Sequence, residues 1–166
     1  MINKIVSIIL INFLLMSCGI YSFTGASTPN DAKNVIVKYF TTKATNSPSS
    51  LNQIITEELK NKLLSQTNLY LEETNGDLIF IGEITKYQVT PIALQANESV
   101  AKNRLTISIK VKYENTLNNQ QNFESNFSHY RDFNSSENLA DIENILIEEI
   151  SKELIEDVFN KAFVNW

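Results

Sequence analysis

Few side chains in this sequence could do chemistry. The chain of 166 residues carries one cysteine, Cys18, and one histidine, His129. Nucleophiles, general bases and zinc ligands are drawn largely from those two types, and an ordinary zinc site needs three or four such ligands. One thiol and one imidazole cannot build it. His129 lies among Phe127, Tyr130 and Arg131, the setting of a surface or partly buried structural histidine. Carboxylates pair at Glu57-Glu58, Glu72-Glu73 and Glu148-Glu149. Neighbouring side chains diverge on a helix or strand, so none of these pairs is arranged to share a proton. Asp132, Asn134, Ser136, Asn138 and Glu143 follow the spacing of a calcium loop, but Glu137 stands where that loop needs glycine. A loop feeding a helix N-cap explains the same cluster. Gly-x-Ser-x-Gly, a phosphate-cradling glycine loop and His-Glu-x-x-His are all missing from the sequence. The residues point away from catalysis, with no cofactor and no metal expected.

The position of Cys18 is more informative than its thiol. Lys4 gives a basic start, and Ile5 to Met16 is almost wholly apolar. As a helix this dozen residues would reach about 18 Å, against roughly 30 Å of bilayer hydrocarbon, so it is a signal h-region rather than a span. Leu15-Met16-Ser17-Cys18 resembles the lipobox of bacterial lipoproteins. That resemblance implies a diacylglycerol on the Cys18 sulfur, cleavage before it, and acylation of the new amine. A second acyl chain turns marginal membrane attachment into a stable one. The expected division is residues 1–17 as signal peptide, 18–33 as lipidated tether and 34–166 as a single domain. Gly19 and Ile20 follow the cysteine without an acidic run. By resemblance to known sorting patterns, this favours an outer-membrane lipoprotein facing the periplasm.

With its only thiol acylated, the domain would rely on packing rather than disulfides. The net charge of −5, one unit more negative once Lys4 is removed, argues against a sequence-independent nucleic-acid binder. Acidic residues gather near the C-terminus at Glu143, Glu148, Glu149, Glu153, Glu156 and Asp157, alternating with apolar ones. That pattern predicts a solvated helix face.

Several elements can be placed from pattern. Asn34 to Phe40 is β-branched and aromatic, a strand inside a sheet. Thr41 to Ser50, with Pro48, reads as a loop. Ser50-x-x-Gln53 forms a capping box ahead of Leu51, Ile54, Ile55, Leu59 and Leu63, which recur at helical spacing to about Gln66. Leu69 to Glu73 suits a short strand and Asn75-Gly76-Asp77 a turn. Leu78 to Thr90 is a strand whose alternation slips, and a bulge at Gly82 with an end at Pro91 is expected. From Arg104 to Asn115, Leu105, Ile107, Ile109, Val111 and Tyr113 point one way, and Thr106, Ser108, Lys110 and Lys112 the other. One buried and one wet face is the mark of a singly covered antiparallel sheet. Asn122 to Tyr130 returns as its partner, and Ser135-Ser136 caps a last helix from about Asn138 to Phe163. The order predicts an α/β two-layer sandwich, a largely antiparallel or mixed four-stranded sheet with two helices packed on one face.

Taken in order, Cys18-Gly19-Ile20-Tyr21, the Val35–Phe40 strand, the first helix, Ile84-Thr-x-Tyr87-x-x-Thr90-Pro91 and the terminal helix resemble the LptE family, closest to its Bacteroidetes branch. These are outer-membrane lipoproteins of lipopolysaccharide assembly, and the likeness spans almost the whole mature chain. It implies a non-enzymatic plug and assembly partner of an LptD-type β-barrel that binds lipopolysaccharide and helps pass it outward. Glycolipid phosphates need cations, and the candidates are Lys102, Arg104, Lys110 and Lys112. The plainer role for Lys110 and Lys112 is to keep an exposed sheet face soluble. The loop from Ile92 to Val100 departs from better-studied relatives in carrying no basic residue. A different periplasm-facing lipoprotein, an assembly accessory or lipid carrier, is the alternative. A carrier calls for an apolar cavity between the layers, a plug for a filled core.

Overall fold

The computed structural model describes residues 29, 31–93 and 101–164. Cys18, the signal segment and most of the loop before Ala101 therefore lie outside the described residues. The chain runs through β1 (Asn34–Val37), β2 (Thr41–Thr42), α1 (Ser50–Gln66), β3 (Tyr70–Leu71), β4 (Leu78–Ile92), β5 (Lys102–Asn115), a 3-10 turn at Asn119–Gln121, β6 (Phe123–Asn134) and α2 (Leu139–Phe163). The sheet is mixed, ordered β3-β1-β4-β5-β6, with β2 also against β4. β1 and β2 lie parallel to β4, as a helical crossover through α1 requires, while β4, β5 and β6 are antiparallel. The expected two-layer α/β class holds, but the sheet has six strands rather than four. β2 falls in the segment read as a loop. It consists of two exposed threonines placed by long-range pairing to Glu83 and Ile84, with Thr42 Oγ1 also accepting from the Ala44 amide.

The detour between β1 and β2 has a specific cause. Phe40 donates its amide N–H to Thr56 Oγ1 at 3.1 Å, and its carbonyl accepts from Asn52 Nδ2 at 2.7 Å. Two helix side chains thus satisfy both backbone groups of a buried residue, which is freed from the strand ladder. The Phe40 ring then packs over Gly82, where a Cβ would come within 2.1 Å of it. Gly82 is required for this close approach and is not the site of the bulge. The register shift lies between Ile84 and Lys86. Its extra residue switches parity, so Tyr87, paired with Ile107, joins Leu78 and Phe80 on the helix side.

Pro91 does not end the ladder, because β4 stays paired with β5 as far as Ile92. Past Ile84, β4 has no neighbour on its other side among the described residues. A proline there can turn its missing donor to an open edge.

Leu51, Ile55, Leu59 and Leu63 form the buried stripe of α1; Leu146, Ile150, Leu154 and Val158 form that of α2. α2 covers the β5 face made by Leu105, Ile107, Ile109, Val111 and Tyr113, while α1 lies against β1 and β3 and packs beside α2. Aromatic rings fill one end of the interlayer space. Phe80 lies 4.9 Å from Tyr113, and Phe159 lies 4.9 Å from Phe163 between ring centres. The helix caps differ from expectation. Ser49, in helical conformation, precedes α1 without a side-chain bond, so the Ser50–Gln53 box does not form. Asn138, rather than Ser135 or Ser136, caps α2 by accepting from the Ala140 amide.

Candidate functional site

Lys102, Arg104, Lys110 and Lys112 share the outer face of β5, opposite the helices, because the side-chain period of a strand is two. The sheet brings all four together in one row, but it also brings carboxylates to them. Arg104 forks onto Asp132 of β6 at 2.7 and 2.9 Å while its guanidinium lies 3.6 Å above the Tyr130 ring centre. Lys110 is paired with Glu124, and Lys112 with Glu114 at 2.5 Å. Lys102 also has an interaction of its own. The bond from Arg104 holds the Asp132 carboxyl below the usual carboxylate range, and the bond from Lys110 does the same for Glu124. The row is therefore a charge-paired surface. Exposed pairs of this kind contribute little to stability, so they can exchange one oxyanion partner for another.

The opposite face of β6 behaves differently. Phe123, Phe127 and Phe133 alternate there with His129 and Arg131, which meet α2. Arg131 bonds Glu153 through Nη1 and Nη2 at 2.9 and 2.6 Å, and Glu149 through Nε at 2.8 Å. His129 places Nδ1 3.0 Å from Glu153 and Nε2 2.7 Å from Asp157. Glu149, Glu153 and Asp157 are successive i, i+4 positions, so one helix stripe faces one strand. Glu143 accepts from the Tyr87 hydroxyl at 2.5 Å, and Glu156 pairs with Lys62 of α1. Burial and the Glu143 carboxylate push the Tyr87 hydroxyl far up. The acidic helix expected to be simply solvated instead docks α2 onto β4, β6 and α1. A signal for this was present, since His129 and Arg131 occupy apolar-phase positions of β6, where an inward charge needs a partner.

The residues at calcium-loop spacing are engaged separately. Asp132 holds Arg104, Asn138 caps α2 and Glu143 holds Tyr87. Among the described residues, no group of three or more His, Cys, Asp or Glu is placed to hold a metal ion. Open grooves of about 700 and 400 Å³ lie at the rims of the layers, beside the two ends of α2.

A mixed sheet covered on one face by two helices, with its opposite face paired in charge, defines a small two-layer α/β scaffold. The profile described as "LptE: Lipopolysaccharide-assembly" matches residues 32–162, and the chain belongs to this family. No curated protein matches the sequence. Among solved structures, it is similar to uncharacterized lipoprotein B from Nitrosomonas europaea, with TM-score 0.50 and 12% identity over 87% of this chain and 88% of that one. It is also similar to the hypothetical protein CT253 from Chlamydia trachomatis, with TM-score 0.50 and 13% identity over 81% of this chain and 99% of that one. At such identities the likeness speaks to the fold alone.

Proposed function

We propose that this protein is an outer-membrane, periplasm-facing lipoprotein of the lipopolysaccharide transport machinery, anchored by acyl chains on Cys18. In this reading it acts without catalysis, as plug and assembly partner of an LptD-type β-barrel, and binds lipopolysaccharide. The observation that carries the reading is the family match over residues 32–162, nearly the whole described domain. The lipobox-like Leu15-Met16-Ser17-Cys18 supports the anchor. The aromatic and aliphatic packing between β5 and the helices suits a plug, which works through its outer surface, better than a carrier with an apolar cavity.

Affinity purification of the tagged full chain from detergent-solubilised outer membranes tests the partnership. A large β-barrel should co-purify at a fixed ratio, and depletion should arrest growth. Isolation without any barrel would overturn the reading. The anchor is tested separately by palmitate labelling, which should disappear in Cys18→Ala.

A further inference from the structure

The four cations singled out by sequence lie on an open sheet face among carboxylates, whereas a fifth, Lys161, sits in a groove. This groove, of about 700 Å³, opens between the 3-10 turn, the start of β6 and the last turns of α2. Its apolar side is formed by the half-buried rings of Phe123 and Phe127. Phe123 stacks on buried Tyr113 at 5.3 Å, and the Lys161 ammonium lies 5.2 Å from the Phe123 ring centre. Among the described residues Lys161 has no carboxylate partner; the nearby Asp157 carboxylate is held by His129 at 2.7 Å.

The polar side is set by Asn115, which is fully buried. Its Oδ1 accepts from the amides of Leu117 and Asn118 at 2.9 and 3.1 Å, so its Nδ2 must be the donating end. That Nδ2 donates to Gln121 Oε1, and the Asn115 backbone N–H donates to Asn122 Oδ1, each at 2.6 Å. Both groove amides therefore have their oxygens turned inward, leaving their NH2 groups as uncommitted donors. With the ammonium of Lys161, the groove is rich in donors beside two aromatic rings. Such a surface suits a ligand with a stackable ring, many acceptor oxygens and negative charge.

We infer that this groove binds a saccharide bearing an anionic substituent, a sugar phosphate or a sugar carboxylate. The ring packs on Phe127, its oxygens accept from Gln121 and Asn122, and the charged group meets Lys161 where its ammonium lies over Phe123. The assignment rests on the lipopolysaccharide binding proposed above and deepens it by naming a site, and the same chemistry occurs on a free sugar as well as on a glycolipid headgroup.

Titration of the full chain in detergent with glucose 1-phosphate, followed by amide chemical shifts, tests it. Saturable binding with a Kd on the order of 1 mM is expected, with shifts at Gln120–Asn122 and Lys161. Methyl glucoside and inorganic phosphate should each bind at least about fivefold more weakly, because each keeps only one half of the recognition. Lys161→Gln should weaken glucose 1-phosphate binding by about fivefold or more, and Lys152→Gln, elsewhere on α2, should leave it unchanged. Loss of lipopolysaccharide-micelle binding in Lys161→Gln would mark a glycolipid as the source, and its retention a free sugar. Absence of saturation, or equal effects of the two lysine variants, would overturn the inference. Barrel co-purification is unaffected by either result, so the two proposals fail separately.

Discussion

Arg131 of β6 and Glu153 of α2 meet through two hydrogen bonds, at 2.6 and 2.9 Å, across the seam between sheet and helix layer. Arg131 also reaches Glu149, and these carboxylates raise its already high pKa further. It cannot give up its proton, so a charge at an inward-facing strand position is tolerable only with those partners in place. The seam is thus fastened by polar bonds at the rim and by Phe133, Leu146 and Ile150 inside it.

Arg131→Met should leave the fold intact and lower its stability by about 1 kcal/mol, equivalent to a few degrees in Tm. The side chain keeps 29% exposure, so the value is well below that of a fully buried charged bond. Hydrogen exchange should rise first in α2 near Glu149 and Glu153. Uniform acceleration across the sheet instead would show that the seam does not open locally.

Gly82→Ala should destabilise by about 1–3 kcal/mol, since the added methyl collides with the buried Phe40 ring at the centre of the sheet. Phe40→Leu costs stability by itself but relieves the clash. The double variant should therefore be more stable than the sum of the single effects, as read by urea denaturation. Strict additivity would separate the glycine from Phe40.

Tyr113→Phe should be neutral or stabilising by up to about 1 kcal/mol. Among the described residues the Tyr113 hydroxyl is buried without a hydrogen-bond partner, and burial pushes its ionisation far up. Removing an unsatisfied polar atom while keeping the ring costs little packing. A fall in Tm beyond about 5 °C would reveal a bond that this hydroxyl makes.

Local pattern made some of these features readable and hid others. Strict alternation from Leu105 to Tyr113 gave away the central strand and its buried face, and the i, i+4 leucines gave away α1. The pattern ends β6 at Tyr130 rather than Asn134, because Arg131 and Asp132 resemble a solvent-facing turn; their partners are distant in sequence, at Glu153 and Arg104. β2 was invisible because two threonines carry no pattern, and parallel pairing is a tertiary choice. The slip in β4 shows in the sequence but points to Gly82, since a glycine is the usual sign of a bulge and its true role depends on Phe40. The cationic row was legible, while its pairing with Asp132 and Glu124 depended on the register of β6.

Stability should fall in acid, and two carboxyls define the direction. Backbone N–H groups of Lys33 and Asn34 hold Asp77 below the usual carboxylate range, and the Arg104 guanidinium holds Asp132 there. A lowered folded-state pKa means that the unfolded chain takes up protons first as pH falls. The stabilisation is complete above the unfolded value near 4 and is lost as pH drops through the folded values. Urea midpoints should hold steady from about pH 7 to 5 and decline below about 4. Asp77→Asn should flatten that decline, because the neutral amide has nothing to titrate. An unchanged slope would exclude Asp77 as a contributor.

The outer row of cations yields a prediction in which two variants must move in opposite directions. If Lys102 and Arg104 meet glycolipid phosphate, Asp132 competes with that phosphate for the Arg104 fork. Lys102→Glu with Arg104→Glu reverses the charge and should weaken lipopolysaccharide binding several-fold. Asp132→Asn removes the competing carboxylate while leaving Arg104 above Tyr130, so it should tighten binding, most visibly at low salt. If the row merely keeps the sheet face soluble, neither variant should change affinity. Weakening by both would mean that the Arg104–Asp132 pair orders the face without touching the ligand. Only the opposed response assigns phosphate contact to this face, and surface plasmon resonance on the full chain in detergent can read its sign.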